Sequence, residues 1–261
     1  MNLIYNEKSI LNNFLENNEC KVRTDKLIPI LVKYYYINGI KDKLLLREKI
    51  LEDLITIDET NTRTVWSNKI DKTIKEFTKS LSKNSSNLEI IEVESINIYE
   101  EELEIIETIK EPRLKKILFV LLVWAKVYEK FNRTIIMENP RDILQLAKCQ
   151  LKNKQYRDLI MHELKETNLV WCKKNNGTYN IRINYKKDEG EIAFVVNDFE
   201  NSICQYLNYL GGNWKQCECG KYFKYLKSKP KQKYCTNCSK EKQKQWKRET
   251  AKKIRNRSKV E

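Results

Sequence analysis

The sequence predicts a mainly α-helical protein with small β elements and a cysteine-rich, basic C-terminal segment. Glycine and proline are scarce, with 6 and 4 among 261 residues, which favours long helices over a turn-rich β fold. Apolar residues recur at helical spacing through the first part of the chain. Four of the eight cysteines form two close pairs between residues 217 and 238.

The first unit, residues 1–111, is predicted to be a helical N-terminal domain. Its candidate helices are Glu7–Glu16, Asp25–Ile37, Lys41–Thr56 and Thr62–Leu81. The stretch from Glu89 to Glu111 then holds nine Glu and one Lys. We interpret it as a short strand followed by a solvated helix face. The alternative is a surface that docks a basic partner, such as this protein's own tail.

The second unit, residues 112–187, combines three helices with a hairpin. Pro112 suits the first turn of a helix, and a long apolar helix follows over Leu114–Phe131. A short helix runs from Pro140 to Lys148, and Asn153 caps a third helix that ends near Thr167. An Asn-Gly turn at 176–177 joins two strand-like runs. This order predicts a winged helix-turn-helix.

Residues 188–212 are predicted to form a strand–helix connector. Ile192–Val196 is a short apolar strand, and Asp198 caps a helix that reaches Leu210. Gly211-Gly212 ends this helix and is expected to act as a hinge.

The last unit, residues 213–261, contains the spacing Cys217-x-Cys219, fifteen residues, then Cys235-x2-Cys238. Two close pairs separated by the length of a hairpin supply four thiolates, which suits tetrahedral Zn²⁺. A helix over Ser239–Arg255 would complete a treble-clef-like module. Four thiolates leave no open position, so the zinc is expected to be structural. Reduced structural thiols and a redox switch are the alternatives.

The first cysteine pair is shorter than the C-x2-C of most zinc knuckles, which makes its ligand geometry the uncertain point of the zinc prediction. The other four cysteines lie singly in apolar patterns and are interpreted as core thiols. They are Cys20, Cys149, Cys172 and Cys204.

The net charge of +14 is concentrated at one end of the chain. Residues 213–261 hold 17 Lys and Arg against 4 Asp and Glu, whereas the other 212 residues hold 33 against 32. Such asymmetry indicates a basic tail that meets a polyanion, with nucleic acid as the first candidate. A tail that only aids solubility is the alternative. The sequence contains no predicted signal peptide or membrane span, which predicts a cytoplasmic protein.

The predicted contacts with nucleic acid fall in two groups. In the helix-turn-helix interpretation, Tyr156, Leu159, Ile160 and Leu164 pack inward. The outward residues near the start of this helix, with the wing tip, are Lys152, Lys154, Gln155, Arg157, Lys173 and Lys174. The tail adds Lys229, Lys231, Lys233, Lys244, Lys247, Arg248, Lys252 and Arg255. Trp246 is expected to pack rather than stack on bases.

Five parts of the sequence carry a family resemblance: Leu3–Glu7, Lys33–Tyr36, the helix–hairpin middle, Trp214–Lys221 and Lys233–Cys238. Together they resemble a group of proteins of unknown activity from phages and integrated mobile elements of low-GC bacteria. The C-x-C pair departs from the C-x2-C expected in that group. The resemblance implies a zinc-ribbon protein associated with DNA in the cytoplasm of a bacterial host cell, and it brings no established activity.

These observations predict a nucleic-acid-binding protein, with DNA favoured over RNA, that acts in transcription regulation or replication. The alternative is a protein-interaction module, such as an inhibitor of a host defence or polymerase complex, with a host protein as its partner. The sequence has no Gly-rich phosphate loop and no catalytic dyad that involves the lone histidine, His162. An enzyme is therefore not expected.

Overall fold

The computed structural model describes residues 5–18, 22–57, 63–82, 89–225 and 232–257. The chain is mainly helical, with 57% of it in helices. Within the described ranges it forms ten helices, seven short strands and three small antiparallel sheets.

Four helices pack together at the N-terminal end of the chain. They are α1 (Glu7–Asn17), α2 (Thr24–Ile37), α3 (Lys43–Ile57) and α4 (Arg63–Leu81). Each turns its apolar residues inward because those residues recur every three or four positions. The predicted helices are confirmed to within two residues at each end. Their shared core contains Leu27, Leu31, Ile50, Leu54 and Ile70.

A second core is built around one long apolar helix. We call it the central core. Its first elements in chain order are β1 (Ile96–Tyr99), α5 (Glu100–Glu107) and the long helix itself, α6 (Pro112–Lys130). Every residue from Ile117 to Trp124 is buried in α6, because neighbouring elements cover this helix on all sides. The residues of β1 and α5 pack in this core, not in that of α1–α4.

A three-stranded sheet and two helices lie against α6. The elements are β2 (Ile136–Glu138), α7 (Pro140–Leu146), α8 (Lys154–Glu166), β3 (Val170–Asn175) and β4 (Thr178–Ile183). The strand order is β2-β4-β3, and both pairs are antiparallel. Asn176 and Gly177 both have positive φ, at 43° and 84°, as a tight I′ hairpin turn requires.

The remaining elements of this core are β5 (Ile192–Val196), which pairs with β1, and α9 (Ser202–Tyr209). The prediction that this helix starts at Asp198 is wrong. The Asp198 carboxylate accepts the Asn201 backbone N–H at 3.1 Å, and the resulting turn delays the helix to Ser202. The strand and helix of the connector pack into the central core. The division of the chain into the four predicted units, 1–111, 112–187, 188–212 and 213–261, stays a prediction.

The acidic segment predicted as a strand and a helix face forms β1 and α5, but one of its glutamates is fully buried. Glu102 pairs with Lys126 at 2.8 Å and accepts the backbone N–H of Lys187 at 2.7 Å. Glu101 pairs with Lys187, and the Tyr209 hydroxyl donates to Glu100. Much of this negative charge is thus paired within the chain.

Candidate metal centre and basic surfaces

The four C-terminal cysteines come together between a small hairpin and a helix. The hairpin consists of β6 (Trp214–Gln216) and β7 (Tyr222–Lys224), and the helix is α10 (Thr236–Arg257). Cys217 and Cys219 lie in the turn between the strands, Cys235 directly precedes α10, and Cys238 lies in its first turn. Their four Sγ atoms all lie within 4.8 Å of one another.

A tight turn brings the first pair of thiols into position. The Gly220 N–H donates to the Cys217 carbonyl at 2.8 Å, and the Cys217 N–H donates to the Lys221 carbonyl at 2.9 Å. Gly220 has φ +80°, a conformation that residues with a Cβ rarely adopt. This turn brings both thiols of the C-x-C pair to one side, so the shortened spacing does not prevent convergence.

Backbone groups also prepare the site for thiolates. The backbone N–H groups of Cys219 and Cys235 bond to the Cys217 sulfur and lower the pKa of its thiol to about 6. The Cys219 and Cys235 sulfurs are 3.7 Å apart. With metal–sulfur bonds of about 2.3 Å, two ligands of a tetrahedral zinc lie about 3.8 Å apart. Both the donor set and this spacing are compatible with a structural metal site.

The module is attached to the central core by a hydrogen-bonded turn. Gly212 donates its N–H to the Leu207 carbonyl at 2.7 Å, and a Cβ on Gly212 would lie 2.3 Å from that oxygen. The Asn208 amide accepts from the Trp214 N–H and donates to the Trp214 carbonyl, at 2.7 and 2.8 Å. Trp214 and Tyr222 pack against the central core. The residues of the predicted hinge therefore lie in a hydrogen-bonded turn, and hinge motion stays a prediction.

Helix α10 extends from the four-cysteine cluster into solvent. Every residue from Lys240 to Glu249 is exposed, and the 22 residues of the helix include nine Lys and Arg against two Glu. Near the metal centre, Lys242 pairs with Glu218 at 2.9 Å and covers the Tyr234 ring at 4.1 Å. The expectation that Trp246 packs is wrong, because its side chain is 65% exposed.

Helix α8 is held by a cap at its N-terminal end and by an arginine of α6. The Asn153 side chain accepts the Tyr156 N–H at 2.9 Å, which confirms the predicted cap. Arg113 of α6 donates to the Tyr156 hydroxyl at 3.1 Å and to Glu163 at 2.7 Å. The predicted inward position of Leu159 is wrong. It is 53% exposed, and Met161 is buried instead.

The predicted contact residues differ in how freely they face solvent. Lys152, Lys154, Gln155, Lys173 and Lys174 are exposed on α8, its preceding loop and β3. Arg157 is half-buried and donates to the Lys152 carbonyl at 2.8 Å. Lys174 pairs with Asp158 at 2.6 Å, so its charge is partly neutralised.

In the tail, Lys233, Lys244, Lys247 and Arg248 are exposed. Lys252 and Arg255 belong to α10, but their side chains fall outside the described part of the chain. Lys229 and Lys231 lie outside the described residues altogether. The basic residues thus form two separate groups: that of α8 belongs to the central core, and that of α10 adjoins the four-cysteine cluster.

Two features of the structure were not predicted from the sequence. One is the buried Glu102–Lys126 pair, which the spacing of the two residues does not reveal. The other is Trp171, which is 48% exposed on β3. Alternation along β3, where Trp171 and Lys173 flank Cys172, could have placed both residues on one face.

Comparison with protein-family models, with curated proteins and with solved structures finds no match to this chain. Among the helices in the described ranges, none combines the length and the apolar character that crossing a membrane requires. The four-cysteine cluster and the basic surfaces are therefore the features of this chain that bear on function.

Proposed function

We propose that this protein binds nucleic acid, with DNA as the first candidate, and that it acts in transcription regulation or replication of a phage or mobile element. A winged helix formed by residues 112–187 positions the protein on the duplex. The C-terminal module holds one structural Zn²⁺ and adds affinity for phosphates. The mobile-element setting rests on the resemblance of the sequence segments described above.

The observation that carries the proposal is the solvated basic helix α10. All of its side chains from Lys240 to Glu249 are exposed, and among the described residues only Lys242, which contacts Glu218 and Tyr234, ties this part of the helix to the rest of the chain. A helix that is polar on every side is only marginally stable in water unless it contacts another part of the protein or a partner. A polyanion would neutralise its positive charge and stabilise the helix at the same time.

The element order of the central core supports the winged-helix part of the proposal. Two helices, α7 and α8, follow β2, and the hairpin of β3 and β4 pairs with that strand. The N-terminal end of the second helix in such a unit meets base edges or phosphates. Here that end carries exposed Lys152, Lys154 and Gln155.

The cysteine cluster supports a structural role for the metal. Cys217 and Cys235 are buried, while Tyr234 packs against them. This apolar cluster is small, and metal binding supplies folding free energy in modules of that kind. When bound, zinc would supply that stability and would keep no coordination position for a reacting water.

The proposal is tested by fluorescence anisotropy of labelled duplex and single-stranded DNA at increasing salt concentration. Each phosphate contact contributes about −0.9 to the slope of log K against log[salt] for duplex DNA. The triple variant K244A/K247A/R248A should therefore weaken binding and reduce the magnitude of that slope by up to about 2.7.

A matched variant removes the same charge elsewhere. Lys41, Lys72 and Lys75 are exposed in or near the N-terminal helices, and K41A/K72A/K75A should leave the slope close to that of the unmodified protein. Failure to bind any DNA at low salt would overturn the proposal. If both triple variants lost the same amount of DNA affinity, α10 would not be a DNA-contacting surface.

A further inference from the structure

The three-stranded sheet has one face toward the core and one toward solvent. The register places Trp171 opposite Arg182, and Lys173 opposite Asn180, which in turn pairs with Met137. Residues directly opposite each other on one face have Cβ atoms about 4.5–5.5 Å apart. These five side chains therefore form one continuous patch, called here the outer sheet face.

Burial distinguishes the two faces clearly. On the inner face, Ile136 and Ile181 are buried in the central core and Cys172 is partly buried against it. On the outer sheet face, Trp171 is 48% exposed and Met137 is 51% exposed, and Lys173 and Arg182 are exposed as well. Helix α8 packs on the inner side, where Cys172 contacts the Met161 carbonyl at 3.3 Å.

The charge of the outer sheet face has one sign. Lys173 and Arg182 are its charged residues, and the outward positions of the three described strands include no Asp or Glu. The acidic side chains nearby form contacts on the inner side of the sheet. Glu138 is buried against the Tyr128 hydroxyl at 2.8 Å, and Asp158 pairs with Lys174. The face therefore combines an accessible indole ring with two cations.

We infer that the outer sheet face is a platform for single-stranded nucleic acid, in which an unpaired base stacks on Trp171 while Lys173 and Arg182 contact phosphates. Stacked aromatic rings on a sheet beside basic residues are how proteins hold unpaired strands. A paired base inside a duplex does not offer its ring face to Trp171. This inference rests on the proposed nucleic-acid binding and adds a second substrate form, on the side of the sheet away from α8.

The tryptophans of the protein allow a direct test by fluorescence. Trp66 and Trp124 are 3% and 1% exposed, Trp214 is half-buried, and Trp246 is exposed. In the full-length W246F variant, Trp171 is the most exposed indole that remains among the described residues. Titration with oligothymidylate of about 20 nucleotides should quench its emission, whereas a hairpin duplex should change it little.

Further substitutions on the W246F background separate stacking from charge. W171A should weaken oligothymidylate binding at least about fivefold, W171F should restore most of that loss, and neither should alter duplex affinity by more than about twofold. R182A should reduce the salt slope for the single strand by about 0.7. Circular dichroism confirms that each variant is folded.

The outcomes distinguish this inference from the function on which it rests. If the unmodified protein bound no nucleic acid, both the proposed function and the single-strand platform would be overturned. Single-strand binding without quenching, and with the same affinity in W171A, would overturn the platform alone. A parallel loss of duplex and single-strand affinity in W171A would also overturn it, because the face would then serve duplex binding.

Discussion

Replacing Cys219 by serine tests the metal centre at the ligand where the sequence spacing is least usual. Cys219 is the exposed member of the cluster, and its sulfur lies 3.7 Å from that of Cys235. Because it is exposed, its removal leaves no buried cavity. The variant therefore reports on metal coordination rather than on packing.

The size of the effect follows from the number of ligands. Structural zinc sites of this kind bind with about 10–16 kcal/mol. If four thiolates share this free energy equally, one ligand corresponds to about 2.5–4 kcal/mol. Zinc affinity should therefore fall roughly 100-fold or more in C219S. The unmodified protein should contain about one zinc per chain.

Competition with a chromophoric chelator measures the affinity, and elemental analysis measures the metal content. Cys149 offers a matched control, because it is a partly buried thiol outside the cluster. C149S should retain zinc at the level of the unmodified protein. Absence of zinc from the unmodified protein, or equal affinity in C219S and C149S, would refute the assignment of the four cysteines as ligands.

Three further predictions concern stability, each measured by urea unfolding. G212A should destabilise the module by about 2 kcal/mol or more, because its Cβ would lie 2.3 Å from the Leu207 carbonyl oxygen; an equally stable variant would show that this turn is loose. E102Q should lower the free energy of unfolding by about 3 kcal/mol, since it leaves Lys126 buried without its charged partner. The control E104Q lies at an exposed position of the same helix and should lower it by less than about 0.5 kcal/mol. N153A should cost about 1 kcal/mol, because it removes the acceptor for the Tyr156 N–H at the start of α8; no change would mean that the cap is dispensable.

Among the local features, those encoded within a few residues could be predicted well. The N-terminal helices follow from apolar spacing, α8 begins after its Asn153 cap, and the Asn176-Gly177 turn joins β3 to β4. The cysteine spacing predicted a four-thiol cluster, and the Sγ atoms do converge. The assignment of a winged helix, the identity of the metal as zinc and the contacts with nucleic acid stay predictions.

By itself the sequence therefore determined most of the helical segments, where the basic charge lies and which four thiols could converge, because these properties follow from residue type and spacing along the chain. Only the tertiary structure decided which side of each element is covered. Leu159 faces solvent while Met161 is buried, because β3 packs against α8 on the Met161 side. Trp246 and Trp171 are exposed for the corresponding reason: within the described chain, no element covers Trp246 on α10 or the outward side of β3. Burial depends on partners far away in sequence, and residue spacing does not identify those partners.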